Sequence, residues 1–213
     1  MNGREVSLLD RCLTELDTGL RVLAATAPTS RPHPAAEVPP ATLSAADRET
    51  GIQFMRINHA GEVAAQALYR GQAFTTRDPL LRASLLEAAE EEQDHLAWCE
   101  QRVTELGGRT SLLGPFWYAG SFALGAAAGL VGRAAGLGFV VETERQVEEH
   151  LTGHLERLPD ADLASRAIVQ QIRVDEAAHG SEARRLGGSD LPEPVRTGMR
   201  LVARVMTIVA QRL

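Results

Sequence analysis

The sequence predicts an all-α protein on three observations. Aromatic residues make up only 4% of the 213, poor material for a sheet, whereas the helix formers Ala and Leu abound. Apolar residues recur at helical spacing along most of the chain. The breaks between those stretches carry helix start and stop signals such as Asp78-Pro79 and Gly107-Gly108.

Residues 5–26 read as a short amphipathic helix with Leu9, Cys12, Leu13, Leu16, Leu20 and Leu23 along one side. Ala27 to Pro40 then carries Pro28, Pro32, Pro34, Pro39 and Pro40, which no helix crosses, so it reads as a linker. The chain divides into this N-terminal helix (1–26), a Pro-rich linker (27–43) and one domain (44–213). In the domain, Ser44 with Asp47 caps a helix running to Phe74. Asp78 and Pro79 open the next, which stops at Gly107-Gly108. Further helices cover roughly Leu137 to Leu158, Asp162 to Leu186, and Pro194 to Leu213. Between Leu112 and Val141 lies an apolar, Gly-rich region with one basic residue, Arg133, ahead of Val141. Its uncharged run, Pro115 to Gly132, falls short of a strongly apolar span and reads as a hydrophobic hairpin dipping into a membrane surface or lining a greasy channel. A buried helix pair is the competing reading.

Composition excludes several functions. All 22 basic residues are arginine, so no lysine is available for a Schiff base, a pyridoxal-phosphate site or a P-loop. A net charge of −6 argues against a nucleic-acid partner. Cys12 and Cys99 fit no disulfide or zinc framework, which points to a reducing compartment. The opening MNGREVSLLDR lacks the apolar core of a signal peptide, and the expectation is a cytoplasmic-side protein.

The informative feature is acid inside apolar stripes. After Pro79 the stripe Leu81, Leu85, Ala88, Leu96, Cys99, Val103 is interrupted by Glu92 and His95, while Glu87, Glu90, Glu91 and Asp94 fall on the wetter flank. After Pro159, Ile168, Ile172 and Ala183 are interrupted by Glu176 and His179. Glu144 interrupts Val140, Val147, Leu151 and Leu155, and Glu62 shares a face with Met55, His59 and Tyr69. A carboxylate on a core face is costly unless its charge is compensated. Glu62 and Glu92 lie symmetrically about the turn at 77, and Glu144 and Glu176 about the turn at 160, each roughly 23 Å from it. Two helical hairpins docked face to face therefore bring four carboxylates and two imidazoles together. Two divalent metals bridged by carboxylates satisfy such a group, as in a ferritin-like four-helix bundle. Ligands without thiolate suit iron or manganese better than copper.

His59-Ala-Gly-Glu62, Glu92-Gln-Asp-His95, Thr143-Glu144 and Asp175-Glu176-Ala-Ala-His179, with the apolar segment between hairpins, resemble the demethoxyubiquinone hydroxylase family from about Ala45 to Leu213. The resemblance implies a membrane-associated, di-iron monooxygenase of ubiquinone biosynthesis that hydroxylates the ring of a polyprenylated methoxy-methyl-benzoquinol. It implies two iron ions on Glu62, Glu92, His95, Glu144, Glu176 and His179, with Glu92 and Glu176 bridging. O2 and an external reductant would be co-substrates. It also places the protein peripherally on the cytoplasmic face of the inner membrane, and leaves docking to other ubiquinone-biosynthesis enzymes and homo-oligomerisation open.

Membrane contact has a second motive in the last helix, where Arg196, Arg200, Arg204 and Arg212 accompany Val195, Met199, Val202, Met206 and Val209. Gly125 and Gly129 read as room for an isoprenoid tail. His59 reads either as a hydrogen-bonding neighbour of a ligand or as a core residue, Glu148 as the competitor of Glu144, and His150 as a candidate for substrate or proton handling. Asp175 and Glu91 each precede a ligand histidine by four and could orient an imidazole on a neighbouring helix, although solvation accounts for Glu91. Tyr69 and Cys99 read as core. A ferritin- or rubrerythrin-like protein oxidising iron or reducing peroxide shares the ligand set and stays open as the alternative.

Overall fold

The computed structural model describes residues 7–24 and 29–213. They form seven helices: α1 Leu8–Ala24, α2 Ala45–Thr75, α3 Pro79–Glu105, α4 Gly114–Leu130, α5 Arg133–Arg157, α6 Leu163–Arg185 and α7 Glu193–Ala210. Among the described residues there is no strand, and the chain is the all-helical, ferritin-like bundle its stripes predict. The outer ends of the first predicted helix and the start of the linker, at 5–6 and 25–28, lie outside the described residues.

Two hairpins, α2–α3 and α5–α6, make the four-helix body, with α3 facing α6. The caps are those the sequence calls for. Ser44 Oγ accepts the Asp47 N–H, and Asp78 Oδ1 accepts the N–H groups of Leu80 and Leu81 with Pro79 behind it. The interior is two apolar layers. One holds Phe54, Met55, Trp98, Cys99, Leu151 and Ile172; the other holds Tyr69, Leu81, Leu85, Leu137, Val140 and Ala183. In each of the four helices the ligand-type residues fall between these layers.

The apolar inter-hairpin region is not a hairpin. It is one helix, α4, laid along α2, then a break at Gly132 and an α5 that starts about a turn earlier than predicted. Gly132 has φ +109°, a conformation side chains resist. A Cβ on Gly125 would collide with the Leu68 carbonyl of α2, so this glycine, like Gly129, serves helix contact and not a tail channel. The outer face of α4, including Phe116, Leu124 and Leu130, is exposed.

Helix α1 turns most of its leucines away from the bundle. Leu9, Leu13, Leu16 and Leu20 face outward, each more than half exposed. The side toward the bundle is mixed: Glu15 takes a bidentate pair from Arg70 at 2.7 and 3.2 Å, Arg11 lies over the Phe74 ring and donates to the Phe74 carbonyl, and Val22 with Leu23 packs against Val63, Ala67 and Tyr118. Residues 29–43 form no helix, as their prolines require, and lie against α3 and α6. Helix α7 packs on α2 and α5, where Arg196 bonds Glu142.

Candidate metal centre

All six predicted residues meet in the middle of the bundle. Glu62, Glu92, His95, Glu144 and Glu176 are buried, and only His179 keeps a little exposure. Glu62, Glu92, His95 and Glu176 form one group able to hold a metal ion; Glu144, Glu176 and His179 form another. Each central carboxylate turns one oxygen to each imidazole. Glu92 Oε2 is 3.1 Å from His95 Nδ1 and its Oε1 is 3.5 Å from His179 Nδ1. Glu176 Oε1 is 3.4 Å from His95 Nδ1 and its Oε2 is 3.5 Å from His179 Nδ1. Glu62 flanks the His95 end at 3.9 Å.

The outward nitrogens are held by the residues one position before each Glu-x-x-His. Asp175 Oδ2 sits 2.9 Å from His95 Nε2, and Glu91 Oε2 sits 2.7 Å from His179 Nε2. A carboxylate can only accept here, so Nε2 donates and each Nδ1 presents its lone pair inward when the ring is neutral. Solvation, the sequence account of Glu91, is thus incomplete. Asp94, assigned to the wet flank, is buried outright.

Electrostatics sort the group. Burial, with Glu92 beside Glu62 and Glu176 beside Glu144, holds the Glu62 and Glu144 carboxyls well above the usual carboxylate range. Burial pushes Glu92 and Glu176 the same way, but the imidazoles pull Glu92 below it, and a hydrogen bond with Glu144, then the imidazoles, pull Glu176 below it. Burial would lower the histidines too, yet Glu92, Asp175 and Glu176 raise His95, and Glu176 and Glu92 raise His179 to about 12. These directions favour protons on the Glu62 and Glu144 carboxyls and on the two imidazoles that face Glu92 and Glu176. Exchanging these protons for cations keeps the balance, since four carboxylates neutralise two divalent ions. Glu92 Oε1, Glu144 Oε1, Glu176 Oε2 and His179 Nδ1 are buried without a hydrogen-bond partner, which is the arrangement a metal satisfies.

Other candidates stand elsewhere. His59 is partly buried, with burial lowering its imidazole to about 4, and makes no hydrogen bond to the six. Glu148 stays outside both metal-competent groups. His150 stacks at 3.9 Å on His154, whose Nδ1 donates to Asn58 Oδ1 at 2.8 Å. Cys99 is buried core. Tyr69 is buried too, but its hydroxyl has no partner, and it lines a cavity of about 310 Å³ beside His179 with Leu85, Ala88, Glu91, Leu137 and Val140.

Fold and site together define a ferritin-like helical bundle with a buried Glu/His group able to hold metal between its hairpins. A family model described as ubiquinone biosynthesis protein COQ7 matches residues 50–210, and the chain belongs to that family. It is 54% identical to a protein of Ralstonia pickettii over 97% of this chain and all of that one. It is also 54% identical to one of Chromobacterium violaceum over 94% and 97%, and 52% identical to one of Dechloromonas aromatica over 95% and 98%. Each of these relatives is named 3-demethoxyubiquinol 3-hydroxylase.

Proposed function

We propose that this chain is a 3-demethoxyubiquinol 3-hydroxylase, adding one oxygen atom to the ring of a polyprenylated quinol. The observation that carries the reading is the placement of Glu92 and Glu176, each with one oxygen toward each imidazole. In this reading Glu62, Glu92, His95, Glu144, Glu176 and His179 would hold two iron ions. When bound, a ferrous pair would supply two electrons for activation of O2 and the ring the other two, one oxygen atom entering the ring and the other leaving as water, with an external reductant restoring the ferrous pair.

The protein residues do the rest. Asp175 and Glu91 fix the ring orientation of His95 and His179 through Nε2–H. The two apolar layers keep bulk water from the reacting centre. The cavity beside His179 is the approach for the quinol ring, with Leu137, Val140 and Ala183 as its apolar wall.

No described helix is long and apolar enough to cross a membrane. A peripheral seat on the cytoplasmic face of the inner membrane fits the outward leucines of α1, the outer face of α4 and Leu201, Val202, Val205 and Ile208 of α7. Arg204 and Arg212 beside them suit anionic headgroups.

The test is lipid-quinone mass spectrometry of cells lacking the gene. A quinone one methoxy group lighter than ubiquinone should accumulate and be cleared by the wild type but not by Glu92→Ala. A normal quinone profile, with no second enzyme covering the step, would reject the reading in favour of iron oxidation or peroxide reduction.

A further inference from the structure

The Pro-rich segment before the bundle is more than a connector. Its prolines keep it out of a helix, a turn forms at 34–37, and the side chains ahead of that turn reach the outer edge of the centre. Ser30 bonds both oxygens of Asp94, through its N–H at 2.6 Å and its hydroxyl at 2.8 Å. Arg31 lies over the Trp98 ring at 4.8 Å, places Nε 3.3 Å from Asp94, and donates through Nη2 to Asp175 Oδ2 at 2.6 Å. That oxygen is the one that accepts from His95 Nε2, and Arg31 Nη2 itself lies 3.2 Å from the same nitrogen, so Arg31 borders the ring as well as its acceptor. Further along, His33 meets the edge of Trp98 and Ala35 packs on the core. The guanidinium thus hydrogen-bonds Asp175 of α6 and pairs ionically with Asp94 of α3, so one residue links the two helices at the height of His95.

We propose that Arg31 is a positioning residue for the His95 half of the centre. It fixes the Asp175 carboxylate, which in turn fixes the His95 ring so that Nδ1 faces the metal, and the strap closes that side to solvent. The proposal rests on the metal-centre reading above. It concerns one half only, because Glu91, which plays the part of Asp175 for His179, is 44% exposed and forms no such tie. Positioning residues outside the ligand set change metal affinity by roughly 10–100-fold in known sites. Removing Arg31 leaves Asp175 in place, so the effect should sit near the lower end.

The experiment uses the full chain and Co(II) alone as the probe, titrated against a competing chelator. The wild type should take up two equivalents. Arg31→Met keeps the stem over Trp98 and should weaken one equivalent by about tenfold while leaving the other unchanged. Arg31→Lys, which can reach one of its two carboxylates but not both, should recover part of the loss. Coupling is reciprocal, so Co(II) should also slow amide hydrogen exchange over residues 29–36 in the wild type, a reading that survives even if a variant fails to fold. Unchanged exchange there, or two wild-type equivalents in Arg31→Met, would overturn the proposal. A wild type that binds no Co(II) would instead overturn the metal-centre reading beneath it.

Discussion

The His95 and His179 halves of the centre carry the same pattern of acid, Glu, and His three residues on, yet they differ in what lies outside. His95 is fully buried, its acceptor Asp175 is tied by Arg31, and a strap lies across it. His179 is 14% exposed, its acceptor Glu91 is largely open, and a cavity adjoins it. Repeated ligands thus guarantee a repeated interior but not repeated access. In our reading the first half is anchored and the second is where substrate arrives.

The comparison breaks most completely at the residues common to both halves. Glu92→Ala or Glu176→Ala should release both metals and reduce quinol hydroxylation to background, read by metal content and product analysis; retention of one tight metal would show the halves to be independent. Next come the two acceptors. Asp175→Asn and Glu91→Gln should each weaken metal binding about 10–100-fold, with the larger loss at Asp175, which is 13% exposed against 44% for Glu91. Equal losses would remove the asymmetry. Access is a third lever. Ala88→Phe fills the cavity beside His179 and should lower kcat/KM for the quinol roughly tenfold, about 1.4 kcal/mol, with both metals retained. An unaffected kcat/KM would send the quinol to another route.

The smallest effect belongs outside both halves. Arg196 and Arg145 hold Glu142 at about 2, with Arg145 the larger influence. The folded value lies below the unfolded one, so this stabilisation is complete above the ordinary carboxylate range and fades as pH falls toward about 2. Arg196→Met should cost under about 1 kcal/mol at neutral pH, leave both metal equivalents bound, and melt like the wild type in acid.

The meeting of the six buried groups was legible because Glu-x-x-His occurs twice and each copy has a Glu mirrored about a turn. Asp175 and Glu91 were half legible from their shared offset, four before each histidine. Their use depends on α3 facing α6, which no local pattern encodes. Asp94 and Arg31 were illegible for a simpler reason, since their partners are about 64 residues apart in the chain. The all-helical class and helix ends followed from periodicity and caps. Two packing choices did not. Apolar character marked α4 but not its straight course, because what aligns it is glycine on one helix meeting backbone on another. The stripe on α1 fixed which residues are apolar and left open which way they face; Arg70 with Glu15 and Arg11 with Phe74 decided it.

The contact at Gly125 has a mechanical side. Side chains give a joint some play, because they can change rotamer under load. Backbone against backbone gives none. Helix α4 is seated on α2 in that way, and Glu62 lies only six residues from Leu68, about 9 Å along the same rod. A push on the outer face of α4 is therefore felt at Glu62 with little loss, whereas the same push on α1 is taken up in arginine side chains.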